Sequence, residues 1–396
     1  MTENGRVVNH RGLRVLISCA EASGDLYAAA LVQALRAREP QLTVAGFGGP
    51  RLAAEGASLV GTFEGMTVTG ITEALGVVRR SLALLARIEA EARRERPDVF
   101  VAIDAPDFNF RLLPRLHKLG IPIVYYISPQ LWAWRPKRIK TIQKFVDKML
   151  VIFPFEQEIY ERAGVPVEFV GHPLIPLARA DQPRDEFLRG DGLDPARPVV
   201  ALLPGSRPSE IRHVLPTILL ALPGIRDQVP GVQFLLARAP GLDDALFAEA
   251  RAAGVHIALS QSDNVLASVD MAIVASGTAT VQTALHETPM VIVYRVSPLT
   301  YAIGIRLVGV STYGMANLVA GKKIVNELIQ HEFTPDAVAS EAVSLLTSPE
   351  RVAAMRRDLQ DVKARLGGLG ATERAADAIL AMARSRKTQI GEQIDA

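Results

Sequence analysis

The sequence predicts an α/β protein built as two doubly wound parallel-sheet domains in tandem. Short runs of β-branched and aliphatic residues alternate with longer amphipathic stretches through most of the 396 residues. Continuous apolar strands separated by helices belong to parallel sheets covered on both faces. A connector rich in Pro, Asp and Arg at 178–197 interrupts the alternation, which then restarts. Glycines and polar residues gather just after the strands, where ligands of such sheets sit.

In chain order the predicted strands of the first half are Val15–Cys19, Thr43–Phe47, Val99–Ile103, Ile121–Ile127, Lys148–Phe153 and Val167–Val170. Those of the second half are Val199–Leu203, Val232–Ala237, His256–Leu259, Met271–Val274 and Met290–Tyr294. From about Thr334 the pattern is helical, and it ends in the polar stretch "SRKTQIGEQIDA", whose composition points to disorder. The expected division is a first domain over 1–177, joined by C-terminal helices at about 350–385, a second domain over 178–349, and a disordered tail over 386–396.

Lys plus Arg (44) and Asp plus Glu (42) nearly cancel, so no global field draws the chain to nucleic acid, and an ionic partner needs a local patch. The single cysteine, Cys19, excludes an intrachain disulfide and a cysteine metal cluster and fits a reducing compartment. The histidines show no ligand spacing, so no metal is expected. The start "MTENGRVVNHRG" lacks a signal-peptide pattern. The most apolar segment, "PMVIVYRVSPLTYAIGIRLVGV", is broken by Arg295, Pro298 and Arg306, whereas a span needs about 20 apolar residues. The expectation is a cytoplasmic, non-spanning protein.

The turns after the strands carry the chemistry. In "PGSRPSE" (204–210), Gly205 and Ser206 turn the chain, the next helix offers backbone N–H groups, and Arg207 adds a charged fork suited to phosphate oxygens. "SGTAT" repeats the logic with Ser276, Gly277 and Thr278. Neither is a dinucleotide fingerprint or a Walker loop, but two such turns in one domain favour a nucleotide-diphosphate site over plain strand–helix turns. In "AEASGD", Glu21 and Ser23 offer polar groups, Gly24 allows close backbone approach, and Asp25 reads as the N-cap of the following helix. "IDAPDFN" places Asp104 and Asp107 after a buried strand. Asp107 fits a capping role, and Asp104 is the better general base for a sugar hydroxyl. His172 in "VGHPL" reads as a hinge residue rather than a catalyst.

Two further stretches have a plain and a functional reading. "SPQLWAWRPKRIKTI" (128–142) holds both tryptophans, Trp132 and Trp134, followed by Arg135, Lys137, Arg138 and Lys140. It is either a helix start with inward tryptophans or a surface for something anionic and apolar. The segment 66–95 carries Met66, Val68, Ile71, Leu75 and Leu82 among arginines, and is either a helix covering the sheet or an interfacial membrane contact.

These motifs together resemble lipid-A-disaccharide synthase, an inverting glycosyltransferase family of the GT-B fold. The resemblance runs in order through "AEASGD", "GFGGPRLAAEG", "VTGITEALG", "DVFVAIDAPDFN", "YYISPQLWAWRPKRI", "FPFEQEIY", "VGHPL", "LLPGSR", "ASGTAT", "PMVIVYR" and "NLVAGKKIVNELIQ". It implies transfer of a glucosaminyl unit from UDP-2,3-diacylglucosamine to 2,3-diacylglucosamine 1-phosphate, giving a β(1→6) disaccharide 1-phosphate and UDP. It further implies no cofactor or metal, a peripheral place on the anionic cytoplasmic face of a Gram-negative inner membrane, an acceptor-binding first domain and a donor-binding second domain about a cleft. Self-association is compatible with it.

By the same resemblance Asp104 is the base, and Arg207 stabilises charge on the leaving diphosphate. Asn317, Glu327 and Gln330 join Gly205, Ser206, Ser276, Gly277 and Thr278 at the donor. Glu21, Ser23, Gly24, Trp134, Arg135 and Lys137 face the acceptor, the cations meeting its phosphate. Gln282 departs from the pattern. The family commonly has glutamate there, a position that often holds the ribose hydroxyls in GT-B enzymes, and an amide loses the charge-assisted strength. The rival readings are another GT-B UDP-sugar enzyme, such as a 2-epimerase, and a non-catalytic peripheral nucleotide-binding protein.

Overall fold

The computed structural model describes residues 12–63, 71–132, 135–296 and 314–395, with side chains omitted at 71–78 and 388–395. Met66, Val68 and Trp134 lie outside the described residues, as do the side chains of Ile71 and Leu75. The chain divides into two compact units, one running to Pro173 and resuming at Gly370, the other Leu174–Leu369.

The first unit holds a seven-stranded sheet of β1 (Arg14–Cys19), β2 (Thr43–Gly48), β3 (Ser58–Thr62), β4 (Val99–Ile103), β5 (Ile123–Tyr126), β6 (Lys148–Val151) and β7 (Val167–Phe169). The order is β3-β2-β1-β4-β5-β6-β7, with every pairing parallel. The second unit holds a six-stranded parallel sheet of β8 (Val199–Leu203), β9 (Gln233–Arg238), β10 (His256–Leu259), β11 (Met271–Ala275), β12 (Met290–Tyr294) and β13 (Glu327–Ile329), ordered β10-β9-β8-β11-β12-β13. The central strands β1, β4, β8 and β11 are almost wholly buried, which is why they read as continuous apolar runs.

One device recurs at the strand starts. An aspartate just before a strand accepts the N–H of a neighbouring strand's first residue. Asp98 accepts from Arg14 (2.8 Å), Asp147 from Ile123 (2.7 Å) and Asp270 from Val199 (2.7 Å). Each satisfies a backbone donor that the ladder leaves over at its end and pins the register of adjacent strands.

The helix Ile71–Glu95 covers the first sheet through Leu84, Leu85, Ile88 and Ala92, which join Leu16, Phe47 and Phe100 in the core. Burial of each leucine contributes about 1.5–3 kcal/mol. Leu82 on the same helix is 47% exposed. The helix Ala371–Asp395 packs on Ala22–Arg38, where Arg38 pairs with Asp377, and Arg374 donates to the Val170 carbonyl at 2.9 Å. It runs through the stretch whose polar composition pointed to disorder. The helix Pro349–Arg365 lies within the second unit.

Candidate active site

The strand order of the first sheet reverses between β1 and β4, where Cys19 pairs with Ile103. Ligands of open parallel sheets bind beyond the strand ends at such a switch point. "AEASGD" and "DAPDFN" follow these two strands, so the topology brings them together.

Asp104 and Ala105 both adopt left-handed backbone, with φ +44° and +46°. Such positions cost on the order of 1–3 kcal/mol each unless the surroundings hold them. Here they are held. The Asp104 carbonyl accepts from the Tyr125 hydroxyl at 2.6 Å and from Asn109 Nδ2 at 2.8 Å. Asn109 is fully buried and its Oδ1 accepts from Ser18 Oγ at 2.7 Å. Ser18 on β1, Tyr125 on β5 and Asn109 on the helix Pro106–His117 therefore fix the turn that carries Asp104. The sequence reading missed all three. Asn109→Ala is expected to cost about 1–3 kcal/mol in urea unfolding, because Ser18 and the Asp104 carbonyl each lose a buried partner. It should also lower kcat without changing nucleotide affinity.

Two capping assignments need correcting. Asp25 does not cap its own helix, whose N-cap is Glu21. It is buried inside the first turn and accepts from the N–H groups of Gly49 (2.8 Å), Arg51 (3.0 Å) and Leu52 (3.1 Å), so it caps the helix Pro50–Ala54 instead. That helix opens with Gly-Pro and has no polar N-cap side chain of its own. Asp107 likewise follows the cap residue Ala105, and its carboxylate meets Arg138 (2.6 Å) and Arg135 (3.5 Å). Ser23 is half-buried, and Gly24 is small because a Cβ there would lie 3.1 Å from that of Cys19.

In the 128–142 stretch, Trp132 is half-buried, packs edge-on against Phe155 at 5.2 Å, and donates its indole N–H to Glu156 at 3.3 Å. Arg135 and Lys137 are exposed. Glu156 is buried and also accepts from the Phe153 N–H, yet burial outweighs these donors and raises its carboxyl to about 8. His172, packed against Phe153 and Tyr27, is lowered by burial to about 3.

These two groups set opposite pH slopes. The raised Glu156 contributes stability that is full below 4.5 and lost as pH climbs to about 8. The lowered His172 contributes stability that is full above 6.5 and lost as pH falls to about 3. Their slopes oppose one another between 4.5 and 6.5, and above 6.5 Glu156 acts alone. Unfolding free energy is expected to drop by about 2 kcal/mol from pH 6.5 to pH 8. Glu156→Gln should flatten that window in denaturant titrations.

In the second unit the order reverses between β8 and β11, where Leu203 pairs with Val274. "PGSR" and "SGTAT" follow these adjacent strands. Gly205 (φ +126°) and Gly277 (φ +144°) take conformations closed to other residues, and a Cβ on Gly205 would lie 2.5 Å from the Glu210 carboxylate. That carboxylate accepts from the N–H groups of Ser206 (2.9 Å) and Arg207 (3.2 Å). The two donors that the sequence reading left open for a ligand are thus engaged by a side chain one turn on. What the turn presents is the Arg207 guanidinium, 52% exposed and 3.5 Å from Glu210. At the end of β12, burial and the charge of Glu210 raise the Tyr294 hydroxyl, which stays protonated. Gly277 and Thr278 are exposed and Ser276 is half-buried.

Asn317 is buried, and both ends of its amide are used. Nδ2 donates to the Val325 carbonyl (2.9 Å) and Glu327 Oε1 (2.7 Å), while Oδ1 accepts from the N–H groups of Ile324 (2.7 Å) and Val325 (3.0 Å). Gln330, with φ +52°, exchanges hydrogen bonds with the Val296 backbone and prolongs the pairing of β12 with β13. Asn317 thus holds Glu327, the first residue of β13, while Gln330 ties the backbone just past the end of that strand. Gln282 Nε2 donates to Asp263 at 2.8 Å. Among the described residues no group of His, Cys, Asp and Glu is arranged to hold a metal ion, and no helix is long and apolar enough to cross a membrane.

A family model described as lipid-A-disaccharide synthetase matches residues 15–382. The chain belongs to the lipid-A-disaccharide synthetase family. Among its relatives, the lipid-A-disaccharide synthase of Syntrophus aciditrophicus (strain SB) is 43% identical over 366 residues, 91% of this chain and 96% of that one. The fold is shared more widely. The UDP-GlcNAc 2-epimerase of Neisseria meningitidis, solved with UDP-GlcNAc, superposes with a TM-score of 0.64 at 10% identity, covering 93% of this chain and 100% of that one. The calicheamicin glycosyltransferase CalG4 gives 0.58 at 17%, covering 94% and 98%. The two Rossmann-like units of this lipid-A-disaccharide synthetase family member are therefore GT-B units. Fold alone does not separate transferases from epimerases; the family match does.

Proposed function

We propose that the chain condenses UDP-2,3-diacylglucosamine with 2,3-diacylglucosamine 1-phosphate to give the β(1→6)-linked disaccharide 1-phosphate and UDP. Family membership makes it a glycosyltransferase of lipid A disaccharide synthesis, acting on lipid A precursors. The observation that carries the finer reading is Asp104, held in a clamped left-handed turn at the switch point of the first sheet.

Its carboxylate takes the proton of the acceptor 6-hydroxyl. The oxygen bonds to the donor's anomeric carbon from the face opposite the diphosphate, and the carbon–oxygen bond to UDP breaks with its electron pair on the diphosphate. Arg207 stabilises that charge in the second unit. The Gly205 and Gly277 turns admit the diphosphate, and Glu327, held by Asn317, faces the donor. Glu21, Ser23, Arg135 and Lys137 serve the acceptor and its phosphate. The step needs no cofactor.

Incubating purified protein with both acylated substrates should yield equal amounts of disaccharide 1-phosphate and UDP by mass spectrometry. Epimerised or hydrolysed donor in place of disaccharide would reject the reading.

Acyl chains on both proposed substrates support a peripheral position on the cytoplasmic face of the inner membrane. Leu82 stands exposed on its helix one turn from the exposed Arg79, a pattern suited to an anionic bilayer surface. Leu82→Glu is expected to weaken binding to anionic vesicles several-fold in flotation assays.

A further inference from the structure

We propose that Asp263 is a positioning residue of the nucleotide site, fixing the Gln282 amide so that its carbonyl oxygen is the group offered to a ribose hydroxyl. The proposal rests on the reading that the second unit binds UDP. Asp263 sits in the first turn of the helix Ser262–Ser268, after β10, while Gln282 lies on the helix Thr278–Leu285, after β11. Gln282 Nε2 reaches Asp263 Oδ1 at 2.8 Å, and His286 Nε2, one turn beyond Gln282, reaches the same oxygen at 2.8 Å.

An ionised carboxylate only accepts hydrogen bonds, so both groups that converge on it must donate. Gln282 therefore turns its nitrogen to Asp263, and His286 carries a proton on Nε2. The ambiguity that attends an amide's two ends is settled by its partner. The contact is sheltered, with side-chain exposure of 30% for Asp263 and 8% for His286, so water competes weakly for it.

Two consequences follow for the site. With Nε2 held by Asp263, Gln282 keeps its carbonyl oxygen as the acceptor for a hydroxyl, which gives nothing to a sugar lacking one. Glutamate at 282 would set a second carboxylate against Asp263 and be repelled. Gln282 and Asp263 thus form a matched donor and acceptor, 19 residues apart in the chain.

The test is calorimetric titration of UDP and 2′,3′-dideoxy-UDP into the full-length protein and its variants. Wild type is expected to prefer UDP by about tenfold, the effect of one good hydrogen bond. Asp263→Ala should reduce that preference to within about twofold while leaving affinity for the dideoxy analogue unchanged, which a general loss of structure would not do. Gln282→Glu should weaken UDP by about tenfold, and adding Asp263→Asn to it should restore binding. This second pair stands even where Asp263→Ala does not fold.

Full preference for UDP in Asp263→Ala, or wild-type affinity in Gln282→Glu, overturns the proposal. Wild type that binds UDP and its dideoxy analogue equally overturns the proposal alone. Wild type that binds no UDP overturns the donor-site reading beneath it.

Discussion

Asp104→Asn is expected to lower turnover by about two to four orders of magnitude, the range that a positioned general base supplies, while UDP affinity stays at the wild-type value. The substitution is chosen for what it leaves intact. The bonds from Tyr125 and Asn109 go to the Asp104 carbonyl, which asparagine keeps. Asparagine also tolerates the left-handed conformation seen at φ +44° better than most residues. The loss is then one of proton acceptance and not of folding, and unchanged thermal unfolding would confirm it. Near-normal turnover in this variant would remove Asp104 from the role of base.

Arg207→Ala is expected to lower kcat by about a hundredfold to a thousandfold, with a smaller change in KM. Charge develops on the diphosphate as the anomeric bond breaks, so a cation placed there binds the transition state more strongly than the ground state. Among the groups of the "PGSR" turn the N–H donors of Ser206 and Arg207 are engaged by Glu210, and the half-exposed guanidinium is the permanent positive charge. Arg207→Lys should recover part of the loss, since lysine returns the charge but not the planar fork. Equal kcat in Arg207→Ala and wild type would show that the charge is met elsewhere.

The parts of this fold that were legible in the sequence are those where burial is two-sided. β1, β4, β8 and β11 are covered on both faces, and the turns after them hold the residues that the motifs singled out. The edge strands β3 and β13 went unread because each is only half-buried and lacks a continuous apolar run. Long-range side-chain partnerships were hidden for another reason. Asp25 caps a helix that begins 25 residues later, as the spacing to Pro50 shows, and local pattern carries no sign of such a pairing.

Glu210, by contrast, could have been found. A glutamate three residues after a helix N-cap is the spacing of a capping box, and "RPSE" has it. Asn109 also left a trace, as an amide on a helix whose neighbours Phe108, Leu112 and Leu113 are core residues. For the tryptophans, packing places the half-buried Trp132 against Phe155 and Glu156. Of the cations that follow, Arg135 and Arg138 both meet Asp107.

The central claim is a single in-line displacement in which Asp104 activates the acceptor hydroxyl and UDP leaves from the opposite face. The configuration of the new glycosidic bond, read by proton NMR on disaccharide made by the purified protein, tests it most directly. A β-linked product from the α-linked UDP donor is the predicted result. An α-linked product would require two displacements or a front-face path, and would contradict the account.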